Sequence, residues 1–559
     1  MVNWESKRLE DLLWLANALA LLLLINLAAG IFFFRVDLTE EKRYSIKPQT
    51  KEVLAGLQDE VFIEVFLAGE LNAGFTRLQK ALRETLTEFA VYSNYRVKYV
   101  FTDPAQAASQ KAQSDYMQML AGKGIQPTNV IDNKGGTRLE KLVFPGALVS
   151  YQGRESGVML LKGNRSQNPQ EVLNQSIEGL EFELINAIYT LASERLPRIG
   201  WATGHGELQG REVEYFMNSI HRQYAVRQVG LNQPLTDVDV LVIAKPTSAY
   251  SVLQRYYLDQ FIMSGGRVLW LLDKIDAAMD SAARPNYYAF PYTLDLDDQL
   301  FKYGVRINND LLQDRVSAKY PIVTGQLNGR PQIMQTDWPF FPLINHYAEH
   351  PVTLNLDATW LRFASSMDTV RVEGVKKTPL LMTSAYTRTV AAPVRVSAAD
   401  LRQLDAAAFQ EGAKPIAYLL EGNFTSAFKN RFLPDGNDQR LFREKSVYTR
   451  QIVVADGDLA RNDVNPRTGE AQPLGRDPFT QYTFANHDLL MNMLAYLANE
   501  QGIIAVRNKQ VRLRPLDKAK VAAEKIYWQA LNLSLPLVVL ALFAVGWRIA
   551  REKKFRPQR

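Results

Sequence analysis

No cysteine occurs among the 559 residues, which excludes a disulfide, a thiolate metal site and a cysteine nucleophile anywhere in the chain. Histidine is scarce, with five copies, so a histidine-built metal cluster has little to draw on. The phosphate-binding pattern G-x-x-x-x-G-K-[ST] is missing: Gly122-Lys123-Gly124 runs into Ile125, and Gly374-Val375-Lys376-Lys377-Thr378 lacks the preceding glycine. A chain without that loop is not expected to hydrolyse nucleotides itself. No internal repeat of about 20 to 50 residues is evident. Broad positive charge is lacking too. The net charge is +6, but Arg548 to Arg559 alone contribute +5 and residues 1–11 contribute −1. With so little left for the rest, a basic face for nucleic acid is not supported.

What is present is an ordinary folding composition, 47% hydrophobic and 22% charged, with length for roughly three to five domains. Two uncharged runs frame the chain. Leu12 to Phe34 would span about 35 Å as a helix, enough to cross a bilayer. It exceeds a signal peptide's apolar core of about 7 to 15 residues, and Phe32, Phe33 and Phe34 stand where small residues would precede cleavage. A retained anchor is expected. The second run, Ile526 to Trp547, has Trp528 and Trp547 near its ends and Pro536 inside, a pattern tolerated in membrane helices. Gln529 and Asn532, three apart, share a face and are expected to pack against a partner helix.

The organisation expected is a cytoplasmic N-terminus (1–11), a first span (12–34), an α/β domain (35–195), a second α/β domain (196–500) with an insertion near 280–342, a basic membrane-proximal linker (501–525), a second span (526–547) and a basic cytoplasmic tail (548–559). Basic residues flank both sides of the spans, so charge counting does not orient them. Long loops cross membranes largely regardless of charge, which favours an external, periplasmic position for the 491 residues between the spans.

Within that region Val61–Leu67 reads as a strand, Phe75 to Phe89 as a helix ending near Asn94, and Arg96–Phe101 as a strand. A helix near Ala105–Ala121, strands around Leu142–Tyr151 and Gly157–Leu161, and a long helix Pro169–Glu194 complete a thioredoxin-like layer; its redox motif is impossible without cysteine. The second domain opens on the strand and turn RIGWATGHGE and continues through a helix at Val213–Arg222. The strands Asp237–Pro246 and Arg267–Asp273 follow, on either side of a helix ending at Gly265-Gly266. This alternation predicts a parallel doubly wound sheet. Later strands are expected at Leu380–Thr383, Ile416–Leu420 and Ile452–Ala455, and a helix at His487–Ala498.

Several residues invite chemistry. Gly204, His205, Gly206 and Glu207 sit in a glycine-flanked turn at a strand end, where α/β folds expose functional groups. They are the candidate ligand-binding residues; the simpler reading is that the glycines make a tight turn and His205 and Glu207 make structural hydrogen bonds. His346 and His350 are four apart, as on one helix face, but lie between Pro342 and Pro351 with only Glu349 nearby. Asp456, Asp458 and Asp463 lack calcium-loop spacing, and a polar turn is the better account. Tyr287, Tyr288, Phe290, Tyr292, Trp338, Phe340 and Phe341 would stack on sugar or pack an insertion, packing being the commoner outcome. No metal, cofactor or catalytic residue is expected.

Six segments taken together carry a resemblance: DLTEEKRYSIKPQTKEVLAGLQDEVFIEVFLAG, ATGHGE, DVLVIAKP with LDQFIMSGGRVLWLLD, WPFFPLINHYAEHP, VADGDLARND and RLRPLDKAKVAAEKIYWQALNLSLP. In this order they resemble the GldG family, the gliding-associated auxiliary (substrate-binding) proteins of ABC transporters in Bacteroidota. The resemblance covers nearly the whole chain and both spans. It implies an inner-membrane subunit with both termini cytoplasmic, acting with a separate permease and a separate ATPase, and linked to gliding motility. Its periplasmic domain would bind cargo, a cell-envelope protein or a glycan. The Asp237–Asp273 unit is also similar to glutamine-amidotransferase-like folds and to a domain of an intraflagellar transport protein, although the amidotransferase cysteine has no counterpart here. Two other readings remain open: an envelope hydrolase or lyase using His205 and Glu207, and a passive structural or glycan-binding anchor.

Overall fold

The computed structural model describes residues 7–31, 45–104, 110–134, 137–161, 169–193, 195–279, 287–327, 330–397, 406–434, 442–498, 506 and 518–555. It separates into residues 1–509 and residues 510–559.

The first sheet is built from β1 (Val61–Val65), β2 (Val97–Phe101), β3 (Gly146–Tyr151) and β4 (Arg154–Met159), in the order β2-β1-β3-β4. β1 and β2 are parallel, joined through the helix Ala73–Tyr92, and β3 and β4 add by antiparallel pairing. That helix starts where the Asn72 side chain accepts from Phe75 N–H, satisfying one of the donors a helix N-terminus leaves open. Its inward residues Phe75, Leu78, Leu82, Leu86 and Phe89 recur every three or four positions and are buried, the amphipathic stripe predicted from the sequence. They share a core with the long helix Pro169–Ala192. One expected strand is divided in the structure. Leu142 and Val143 end the strand Thr137–Val143, which pairs with Thr128–Lys134, and β3 begins afresh at Gly146. An added Cβ at Gly146 would lie 2.5 Å from Ile125 Cγ2 and 3.0 Å from the Val158 carbonyl oxygen, which accounts for glycine there. Of the helix expected near Ala105–Ala121, Gln110–Gly122 is helical, and 105–109 lie outside the described residues.

The second sheet has eight strands: β5 (Arg198–Thr203), β6 (Ala225–Gly230), β7 (Val240–Ala244), β8 (Arg267–Leu271), β9 (His346–Tyr347), β10 (Val375–Met382), β11 (Pro415–Gly422) and β12 (Thr449–Val454). Their order is β9-β10-β11-β12-β8-β7-β5-β6. From β6 to β12 every pairing is parallel. β11, β10 and β9 then extend the sheet by antiparallel pairings, so the fully parallel sheet expected from the alternation is a mixed one. Every residue of β7 is buried, as a strand covered on both faces requires. The helix Val252–Met263 that leads to β8 opens on a reciprocal capping box between Ser251 and Gln254. The insertion carries a long hairpin, Ser317–Leu327 with Arg330–Ile344.

The helix Lys518–Phe555 contains Ala523–Arg551, which is long and apolar enough to cross a membrane. Lys7–Ile31 is also helical; its apolar stretch Leu12–Leu27 is shorter than a crossing segment, and Phe32, Phe33 and Phe34 lie outside the described residues.

Candidate functional site at the carboxyl edge of the parallel strands

Strand order reverses beside β5: the chain steps from β5 out to β6, then crosses back to β7 and β8. Open α/β sheets bind ligands outside the carboxyl ends of strands at such a reversal. The GHGE turn leaves β5 there, Lys245 follows β7, Asp273 lies two residues past β8, and Asp456 and Asp458 follow β12.

The turn is committed to its own surroundings. Gly204 and Gly206 have φ of 113° and 78°, a region that favours glycine. A Cβ on Gly206 would lie 2.1 Å from Thr247 Oγ1, whereas one on Gly204 would meet open space. Glu207 Oε2 accepts from His205 N–H at 2.7 Å, and Glu207 Oε1 accepts from the Tyr250 hydroxyl at 3.0 Å. The His205 ring stacks on Tyr250 with centroids 3.8 Å apart, and its Nε2 lies 3.0 Å from Gln254 Oε1. Its Nδ1 is 3.4 Å from Glu207 Oε1 without a hydrogen bond. His205 and Glu207 are both buried. Burial, with the charge of Glu207 beside it, holds the Tyr250 hydroxyl well above its usual range.

Beside that turn lies a buried charge cluster. Lys245 is a non-glycine residue at φ 53°, a backbone conformation of appreciable cost. Its Nζ reaches Asp458 Oδ2 at 2.6 Å in a hydrogen bond and Asp273 Oδ2 at the same distance. One ammonium is thus shared between two buried carboxylates. Asp273 Oδ1 accepts from Gly457 N–H. A Cβ at Gly457 would lie 2.8 Å from Lys245 Cβ and Cγ, which accounts for glycine there. Asp456 caps the short turn Gly457–Ala460 by accepting from Asp458 N–H at 2.8 Å, and its other oxygen accepts from Arg362 N–H at 2.7 Å.

Burial and crowding sort these charges. Burial, with the charges of Asp273 and Asp458 added, pushes Asp456 well above the carboxylate range. Burial also raises Asp273, against the pull of Lys245. For Asp458 burial acts upward but is outweighed by Lys245 and Arg461, and the carboxyl is lowered. Burial disfavours the Lys245 ammonium, yet Asp273 and Asp458 more than compensate and raise it. An ammonium held protonated has no lone pair for nucleophilic or Schiff-base chemistry, which needs a depressed lysine. Asp273, Asp456 and Asp458 each present an oxygen within 4.8 Å of the others, a set suited to a hard cation. Lys245 already supplies positive charge to two of them.

The other singled-out residues fall elsewhere. Asp463 pairs with Arg362 at 2.6 Å and is not in the carboxylate cluster. His346 lies on a short strand; His350 packs edge-on against Tyr496, and its Nδ1 accepts from Val352 N–H, so the two histidines share no helix face. Trp338, Phe340 and Phe341 are core residues, while Tyr288 and Phe290 are exposed. Gln529 and Asn532 lie exposed on the C-terminal helix. The sequence reading missed Lys245 and Asp273. Their signal was a charged residue within two positions of the end of an unbroken apolar strand, in VLVIAKP and RVLWLLD.

Comparison with known proteins places this sheet. Residues 196–493 match the family model described as an ABC-type uncharacterized transport system. The chain belongs to that family. Membership implies association with ABC transporter components and an accessory role, and together with the apolar C-terminal helix it points to membrane association. Residues 40–150 match a domain of unknown function. An uncharacterised protein of Borreliella burgdorferi is 21% identical over 440 residues, covering 76% of this chain and 80% of that protein. Among solved structures, the mmIFT52 N-terminal domain aligns with 54% of this chain and 96% of its own length, at 10% identity and a TM-score of 0.32. A likeness that slight carries no argument.

Proposed function

We propose that the chain is a membrane-anchored, non-catalytic subunit of a bacterial ABC transporter, of the GldG type linked to gliding motility, working beside a separate permease and ATPase. In this reading two spans, 12–34 and 526–547, hold it in the inner membrane with both termini cytoplasmic. A thioredoxin-like domain (35–195) and an amidotransferase-like domain (196–500) lie in the periplasm, above a basic linker (501–525). The observation that supports an accessory role over a hydrolase or lyase is the state of the carboxyl edge. His205 and Glu207 are buried in mutual structural contacts, and the nearby lysine is ion-paired and protonated. A cargo or envelope partner binding there would meet the open face of Gly204. A passive anchor would have the same edge but no ATPase partner.

Two measurements test this reading. The cysteine-free chain allows single-cysteine labelling at Tyr95 and Phe432, both strongly exposed, and at Gln558 in the tail. An impermeant maleimide added to cells with a permeabilised outer membrane should label the first two and spare the third; the reverse pattern rejects the orientation. The purified chain, free of partners, should show neither ATP hydrolysis nor glutaminase activity, and turnover that follows it through gel filtration rejects the non-catalytic role.

A further inference from the structure

The C-terminal helix runs unbroken from Lys518 to Phe555 with Pro536 inside it. Trp528 and Trp547 are separated by about 28 Å of helix rise, which matches the hydrocarbon thickness that interfacial tryptophans bracket. Asn532 then lies about 6 Å inside the boundary set by Trp528. Pro536 has no N–H, so the Asn532 carbonyl loses its helical donor four residues on. Ser534 does not replace it, because its hydroxyl donates to the Leu531 carbonyl at 3.4 Å. Trp528 Nε1 is likewise engaged, with Glu524 Oε2 at 3.0 Å. Residue 532 thus carries two polar groups at this depth, an exposed side-chain amide and a backbone carbonyl without its helical donor. Gln529, one residue from Trp528, reaches the headgroup level; Asn532 does not. In hydrocarbon such groups are costly unless another helix meets them. Asn532, Pro536, Val539, Phe543 and Gly546 follow a three-four spacing along one face.

We propose that Asn532 and Pro536 form a docking notch for a transmembrane helix of the transporter's membrane component, and that this helix donates a side-chain hydrogen bond to the Asn532 carbonyl. The inference rests on the membrane reading above and deepens it by naming the acceptor and the chemistry of its partner. The occupant follows from family membership, which implies association with ABC transporter components.

The full-length chain, co-expressed with its native membrane partners, tests this by photo-cross-linking from a single cysteine carrying a benzophenone. Val539→Cys places the probe on the notch face and Ala541→Cys on the opposite face. The expected result is an adduct between Val539→Cys and a different membrane polypeptide, several-fold stronger than that from Ala541→Cys. In the Val539→Cys background, Pro536→Ala restores the missing N–H and Asn532→Leu removes the amide. Each should lower the adduct about three- to tenfold, while the control Leu537→Ala leaves it unchanged. Both variants favour helix formation and insertion, so carbonate-resistant membrane retention should persist. An adduct of twice the chain's 63.3 kDa makes a second copy the occupant, and a cross-link within the chain to residues 12–34, read by peptide mapping, makes its own first span the occupant; either overturns the proposal. Equal adducts from both faces, or adducts indifferent to Pro536→Ala and Asn532→Leu, overturn it too. If carbonate extracts the unaltered chain, the membrane reading itself fails and takes the notch with it.

Discussion

Lys245 Nζ and Asp458 Oδ2 lie 2.6 Å apart although 213 residues separate them in sequence. The pair ties the end of β7 to the turn after β12, and Asp273 from the end of β8 shares the same ammonium. The chain thus closes part of its own carboxyl edge with an internal cation.

Removing that cation should cost more than an ordinary surface change. Lys245→Met leaves Asp273 and Asp458 buried without their counter-charge, and breaking a buried pair from one side costs about 3–5 kcal/mol. Denaturant unfolding of the full-length chain in detergent should show a clear fall in midpoint. An unchanged midpoint would mean that the cluster is solvated.

The neighbouring aspartates should respond in opposite senses. Asp458 is lowered in the folded chain, so its stabilisation is present above the unfolded carboxyl pKa and is lost as pH falls through the folded value. Asp456 is raised well above the usual range. Across the window from the unfolded pKa up to that raised value the folded state keeps a proton the unfolded state has released, and stability declines as pH rises. At pH 7.5 Asp458→Asn should therefore destabilise the protein by about 1–3 kcal/mol. Asp456→Asn keeps one acceptor but turns an NH2 toward the other of its two backbone N–H partners, so it should be destabilising at acid pH and should flatten the decline as pH rises above the unfolded carboxyl pKa. Melting curves of the two variants across a pH series separate them: as pH rises above the unfolded carboxyl pKa the Asp456→Asn loss should shrink while the Asp458→Asn loss should not, and the same trend for both would contradict the assignment of the proton to Asp456.

How far the sequence could be read depended on whether a signal was local. The helix through Phe75 and Phe89 and the buried strands after Asp237 were legible because their periodicity, or unbroken apolar character, depends on a few neighbouring residues. The antiparallel extension through β9, β10 and β11 was not, since strand direction is settled by which partner lies alongside. The turn at Gly204–Glu207 was visible from its glycines. What His205 and Glu207 touch depends on Tyr250 and Gln254, more than forty residues away. The Lys245 cluster draws on three separate strand ends for the same reason.

Gly206 and Gly204 offer a graded comparison. Both have positive φ, so alanine at either should cost about 1 kcal/mol in backbone strain. At Gly206 the new methyl also collides with Thr247 Oγ1, and about 1–3 kcal/mol more is expected. Thermal melting should rank the variants Gly206→Ala well below Gly204→Ala, with the latter itself modestly below the parent. Equal losses would indicate that Thr247 moves aside freely.

His205→Ala removes the stack on Tyr250 and the Gln254 contact, and a loss of about 1–2 kcal/mol is expected from those contacts. Recovery of partner subunits, corrected for folded protein, should stay at the parent level. A selective loss of partners with unchanged melting would instead assign His205 a recognition role.

The central claim is that this chain acts as an accessory subunit to an ATP-driven transporter. Its most direct test is ATP hydrolysis in material purified through a tag on the full-length chain from native membranes in mild detergent. The account predicts ATPase activity that co-migrates with the tagged chain in gel filtration and disappears when the chain is stripped of its partners. Homogeneous tagged chain recovered from native membranes with no ATPase and no membrane partner would contradict it.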